Sequence, residues 1–109
     1  MGTQRETDVV DRVHKDLFIA GKWQQAGDGG TFKVDDPATG TIIAEVANAT
    51  PADGKAALDA AVAAQRDWAA YPPRERGEIL RRAYELLHER IDDLALLMTL
   101  EMGKPVAES

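Results

Sequence analysis

Thr50-Pro51-Ala52-Asp53 divides this chain into two halves of different character. Thr50 offers a hydroxyl for a helix N-cap, and Pro51 suits the first helical position, where no N–H is needed. Asp53 can return a hydrogen bond to the cap, as in a capping box. Downstream, Leu58, Ala61, Val62, Gln65 and Trp68 share one face at 3.6-residue spacing, until Tyr71-Pro72-Pro73 stops the helix. A second helix is expected from about Arg74 to Arg90, with Ile79, Leu80, Ala83, Leu86, Leu87 and Ile91 as its apolar stripe. Asp92 or Asp93 should cap a third helix that buries Leu94, Leu97 and Met98. Gly103 closes it as a left-handed C-cap, with Pro105 following.

Upstream of Thr50 the period shortens. Leu17-Phe18-Ile19 and Lys22-Trp23 flank Ala20-Gly21, the pattern of a tight reversal. Thr31-Phe32-Lys33-Val34-Asp35 alternates apolar and polar residues, as a half-buried strand does. Asp36-Pro37-Ala38-Thr39-Gly40 supplies turn chemistry in order, and Thr41-Ile42-Ile43-Ala44-Glu45-Val46 returns. The expected fold class is α+β: a short antiparallel β-meander followed by three helices. Residues 1–16 are polar apart from Val9, Val10 and Val13; they can form a short helix that docks on something, and alone they read as a loose N-terminal arm. Residues 17–109 form the folded portion.

The chain's 109 residues suit one small domain rather than two. Its net charge of −6, with 13 Lys and Arg, argues against nucleic acid or an anionic membrane surface as partner, because both require clustered positive charge. No apolar run approaches the roughly 20 residues that span a bilayer, and the polar start lacks a signal core. A cytoplasmic location is the expectation. The absence of cysteine removes disulfides, thiolate metal sites and any thiol nucleophile from these residues.

Several chemical motifs fail on context. Gly27-Asp28-Gly29-Gly30 precedes a strand, whereas a dinucleotide loop must open a helix that aims its N–H groups at phosphates. Gly103-Lys104 has Met98 and Pro105 where a P-loop needs Gly and Ser or Thr. His14 and His88 are distant from each other and without metal-ligand spacing, which makes them packing or surface residues. Asp92-Asp93 point in different directions on a helix and suit its N-terminal dipole better than acid–base work. Arg81, Arg82, Glu85 and Glu89 read as a solvated, ion-paired helix face. Trp23, Phe32, Trp68 and Tyr84 are packing residues of a core or interface.

Taken together, these stretches resemble the N-terminal portion of aldehyde dehydrogenases. Leu17-Phe18-Ile19-Ala20-Gly21-Lys22-Trp23 resembles their first hairpin, and Asp36-Pro37-Ala38-Thr39-Gly40 resembles their Asn-Pro-Ala-Thr-Gly turn. Trp68 with Pro72-Pro73-Arg74-Glu75-Arg76 resembles the opening of their second helix. Leu97-Met98-Thr99-Leu100-Glu101-Met102-Gly103-Lys104-Pro105-Val106-Ala107-Glu108 is the strongest match, and is most similar to the succinate-semialdehyde dehydrogenase branch. The resemblance implies a part of the α/β aldehyde dehydrogenase fold. It also implies NAD- or NADP-dependent oxidation of an aldehyde, such as succinate semialdehyde, to its carboxylic acid, by a homo-oligomer.

In that chemistry a thiolate adds to the carbonyl, hydride passes to the nicotinamide, and a glutamate-activated water hydrolyses the thioester. The family's cysteine, glutamate, oxyanion asparagine and nucleotide motif correspond to nothing in residues 1–109, so no catalytic or cofactor-binding residue is carried over. The resemblance also implies a monovalent-cation site. Backbone carbonyls of Val34 and Asp35 and the side chain of Glu101 would supply it, with Glu101 in place of a shorter aspartate.

Apolar side chains meant for the nucleotide-binding domain would stay wet in this segment alone. About four of them represent roughly 6–12 kcal/mol, against about 5–15 kcal/mol for typical total stability. The isolated segment is therefore expected to be marginal, partly molten or self-associating. The alternatives are a non-catalytic helical interaction module and a truncated remnant.

Overall fold

The computed structural model describes residues 3–109; Met1 and Gly2, the start of the expected arm, lie outside the described residues. The chain runs α1 (Gln4–Asp11), β1 (Leu17–Ile19), β2 (Lys22–Gln24), β3 (Thr31–Asp35), β4 (Ile42–Ala47), α2 (Pro51–Ala70), α3 (Pro73–Glu89) and α4 (Ile91–Met102), and closes with a 3₁₀ turn at Val106–Glu108. The α+β class holds, and the structural detail departs from expectation in four places.

The strands form two separate antiparallel hairpins, β1–β2 and β3–β4, rather than one continuous meander. In the first, Phe18 faces Trp23 across the pair. Ala20 and Gly21 both take positive φ, 53° and 78°, as a two-residue reversal matched to strand twist requires. Glycine-rich residues 26–30 then intervene, and their backbone is spent elsewhere. Gly29 N–H donates to the Ala26 carbonyl at 2.8 Å, and Gly27 N–H donates to Asp53 Oδ2 at 2.9 Å. In the second hairpin, partners step from Val34–Ala44 to Asp35–Ile42, so Ile43 is the extra residue of a bulge. Ile43 is buried.

In the N-terminal arm the short docked helix that the sequence allows prevails over the loose form. Thr3 and Glu6 form a reciprocal capping box at the start of α1. Val9 and Val10 are buried with Ile43, Leu96 and Leu100, and Val34, Ala44 and Leu97 pack against them. The core therefore joins α1, β4 and α4, elements from both ends of the sequence.

That placement explains the third departure. Leu96 and Leu100 are the buried residues of α4; Leu94 and Leu97 are half-buried, and Met98 is exposed. The helix has turned its Leu96–Leu100 edge, one turn apart, toward α1. Fourth, neither Asp92 nor Asp93 caps α4. Its N-cap is Arg90, which also ends α3 and makes no side-chain cap bond. Both aspartates sit in the first turn, where the helix dipole favours them. Asp93 instead reaches Arg12 at 3.1 Å and Arg5 at 3.7 Å, tying α1 to α4.

The helix boundaries at α2 follow the local signals. Thr50 Oγ1 accepts from Asp53 N–H at 3.1 Å, and Asp53 Oδ2 accepts from Thr50 N–H at 2.8 Å. Yet α2 and α3 bury none of their residues. Leu58 and Leu80 are 63% and 64% exposed, and Val62, Ile79, Tyr84 and Leu87 are also open. The radius of gyration is 17.0 Å, against about 13 Å for a compact chain of this length. The accessible surface is 8147 Å², against about 5,900 Å² for a compact monomer of this mass. Helices α2 and α3 are well formed, and each leaves its apolar stripe uncovered.

Candidate functional site

Asp36 starts the turn that positions the expected cation-site residues. Its side chain, buried at 5% exposure, accepts the Ala38 N–H through Oδ1 at 2.9 Å. Its carbonyl accepts the Gly40 N–H at 2.7 Å, and its own N–H donates to the Thr41 carbonyl at 2.8 Å. Gly40 has φ of 73°, the conformation in which glycine is unhindered. This bonding holds the chain that follows Val34 and Asp35.

The other half of the constellation rides on the end of α4. Gly103 has φ of 78° and donates its N–H to the Thr99 carbonyl, which stops the helix just beyond Glu101. A Cβ at Gly103 would lie 3.6 Å from Pro37 Cγ, so the turn and the helix end are in contact range. Val34 and Glu101 line one cleft of about 40 Å³, together with Val10, Ile43 and Ala44. Asp35 does not line it. The volume exceeds the roughly 10–15 Å³ that a single water-sized occupant needs, so an ion fits by size. Lys15 lines the same cleft, and its ammonium donates to the carbonyls of Val10 and Val13 at 2.8 Å each. That charge opposes a metal cation nearby. Among the described residues no three His, Cys, Asp or Glu side chains cluster as metal ligands.

A second, larger cleft of about 700 Å³ lies between the end of α1, Trp23 of β2 and the start of α4. His14 stacks on Trp23 at 4.0 Å between ring centroids, with 3° between planes. His88 meets Tyr84 edge-on at 4.6 Å. Both histidines thus take packing roles. This cleft was not anticipated from sequence, because Arg12, Trp23 and Asp93 meet only through the docking of α1.

The titration of Asp53 is displaced in one direction. Hydrogen bonds from the backbone N–H of Gly27 and then of Thr50 hold its carboxyl below the usual carboxylate value; burial opposes them, and the Thr50 hydroxyl adds to the lowering. This carboxylate pins the glycine-rich turn to the start of α2. Ser109, the sole serine, bonds to the Thr99 hydroxyl and to the Pro105 carbonyl at 3.2 Å each, neither of them a base. These contacts organise the backbone around the Asp36 turn, the start of α2 and the end of α4. No described helix is long and apolar enough to cross a membrane.

Comparison with known proteins agrees with this layout. The profile of the aldehyde dehydrogenase family matches residues 23–109. An NADP dependent enzyme of E. coli is 41% identical, over 87% of this chain and 20% of its own, with a TM-score of 0.85. Succinate-semialdehyde dehydrogenase from Burkholderia pseudomallei is 38% identical, over 99% of this chain and 21% of its own, also at 0.85. Betaine aldehyde dehydrogenase from Staphylococcus aureus, solved in complex with NAD+, is 25% identical, over 94% and 21%, at 0.91. The chain spans about a fifth of the length of the solved structures it matches. The profile match across most of its length, and folds shared from the first hairpin to the last helix, establish that this chain belongs to the aldehyde dehydrogenase family.

Proposed function

We propose that residues 17–109 serve as the N-terminal scaffold of an NAD- or NADP-dependent aldehyde dehydrogenase that oxidises succinate semialdehyde and works as a homo-oligomer, and that this segment performs no chemistry alone. The observation that carries this reading is the bare apolar face of α2 and α3 on well-formed helices. The whole chain exposes roughly 2,200 Å² more than a compact monomer of its mass, as expected where helices lack a covering layer. Apolar stripes left open on two formed helices fit a segment that lies against further dehydrogenase structure. Such structure would supply the cysteine thiolate and the nucleotide, since these 109 residues contain no cysteine. The similarity to a succinate-semialdehyde dehydrogenase at 38% identity supports the substrate. The localisation consistent with this reading is cytoplasmic.

A chimera tests it. Residues 17–109 replace the matching segment of the Burkholderia pseudomallei enzyme, and NAD(P)H formation is followed with succinate semialdehyde and with betaine aldehyde. Folding with retained preference for succinate semialdehyde is expected. A folded chimera that oxidises neither aldehyde, or an insoluble one, would overturn the scaffold reading; the substrate is tested by offering both aldehydes to the full-length enzyme that contains these residues, where equal use of both would overturn it.

The carbonyls of Val34 and Asp35 and the carboxylate of Glu101 are further proposed as a weak monovalent-cation site. Support comes from the shared cleft of Val34 and Glu101 and the Pro37–Gly103 approach. Replacing K⁺ or Na⁺ by a bulky organic cation at constant ionic strength should lower the chimera's melting temperature, and an unchanged melt would remove the site.

A further inference from the structure

We propose that the cleft between α1, β2 and α4 binds a small organic monoanion, specifically a carboxylate carried on an apolar or aromatic body. Three observations converge. The first is shape and lining: the space is about 700 Å³, within the range of small-molecule sites. Its apolar walls come from Val9, Val13, Leu94 and Leu97, and the Trp23 indole joins them.

The second is charge. Arg12 and Arg90 line the cleft against a single acid, Asp93, in a chain whose net charge is −6. Arg12 Nη2 is engaged by Asp93 Oδ2 at 3.1 Å. Arg90 makes no ion pair among the described residues. Its backbone is fixed at the α3–α4 junction, where the Arg90 carbonyl accepts the Leu94 N–H at 2.9 Å.

The third is the chemistry of the free group. A guanidinium presents a planar fork of donors that matches a carboxylate in two parallel hydrogen bonds, and it is weakly hydrated enough to do so beside apolar walls. One uncompensated arginine matches one negative charge. A di- or triphosphate would need more cations and a glycine loop, and the cleft has neither. The ligand's body would lie along Trp23, Val9 and Val13, with its carboxylate toward Arg90.

The test uses phenylacetate as probe and 2-phenylethanol as its uncharged counterpart. Trp68→Phe leaves Trp23 as the sole tryptophan, so its fluorescence reports the cleft. The Trp23 indole N–H resonance of the unsubstituted chain gives the same reading if that variant folds poorly. Saturable change with phenylacetate and none with the alcohol is expected. Arg90→Gln should weaken binding about three- to tenfold and Asp93→Asn should tighten it about threefold, whereas Arg66→Gln on α2 should do neither. A non-saturating response, an equal response to the alcohol, or unchanged affinity in Arg90→Gln would overturn the proposal.

Discussion

Replacing Leu58 and Leu80 together by glutamate should have opposite consequences in two settings. Both side chains are close to two-thirds exposed on the uncovered face of α2 and α3. In the isolated chain, exposed substitutions of this kind shift stability by about 0.5 kcal/mol or less each. Where the face is covered, each leucine contributes about 1.5–3 kcal/mol, so the pair represents roughly 3–6 kcal/mol. An unpaired carboxylate held away from water adds to that loss. Total stabilities run at about 5–15 kcal/mol, so the covered form should lose much or all of its folded population.

The assay is thermal melting by circular dichroism together with sedimentation velocity, on the isolated chain and on the dehydrogenase chimera. The isolated chain should keep its helical signal and lose any concentration-dependent association. The chimera carrying both glutamates should melt far lower or fail to accumulate. Equal effects in the two settings would refute the claim that this face is made to be covered. So would a sharply melting, strictly monomeric isolated chain that the substitutions leave unchanged.

Other perturbations probe the scaffold itself. Leu100 is 4% exposed at the junction of α1, β4 and α4, and Leu100→Ala should cost about 2–5 kcal/mol, read from denaturant unfolding. Gly103 sits at φ of 78°, so Gly103→Ala should cost about 1–2 kcal/mol despite ordinary space near Pro37. Asp36→Ala should lose about 1 kcal/mol with the Ala38 bond, while Asp36→Asn, which keeps an acceptor, should lose less. The Asp53 carboxyl is held below its ordinary value of 3.8 by the Gly27 and Thr50 amides. Its contribution is complete above that value and is lost as pH falls through the lower, folded value. Stability should therefore decline on acidification below about pH 4, and Asp53→Asn should flatten that decline.

The parts of this structure that were legible in sequence are those decided within a few residues. Thr50 with Asp53, Ala20-Gly21, the Asp36 turn and Gly103 each bond to near neighbours, and their residue types state the geometry required. Helix α1 carried a comparable signal in Thr3 and Glu6, three apart before Val9 and Val10. Its weight was hidden because the partners of those valines, Ile43, Leu96 and Leu100, lie far along the chain. The same distance concealed the edge of α4 that turns inward and the reach of Asp93 to Arg12, 81 residues away. Strand periodicity showed where strands lie but not that Asp53 draws the 26–30 turn toward α2, with the strands pairing as two hairpins. The stripes on α2 and α3 were plain, though their covering surface is nowhere in these residues. Of the cation constellation, the family resemblance pointed to Val34, Asp35 and Glu101; Val34 and Glu101 share a cleft that Asp35 does not line, and the resemblance could not reveal that Lys15 enters it.

The most direct measurement of the central claim is reduction of NAD+ or NADP+ by the purified chain supplied with succinate semialdehyde. With no thiolate to add to the carbonyl, the chain should give no rate above buffer. Sustained turnover by the chain alone, proportional to its concentration, would contradict the assignment of these residues to scaffold rather than chemistry.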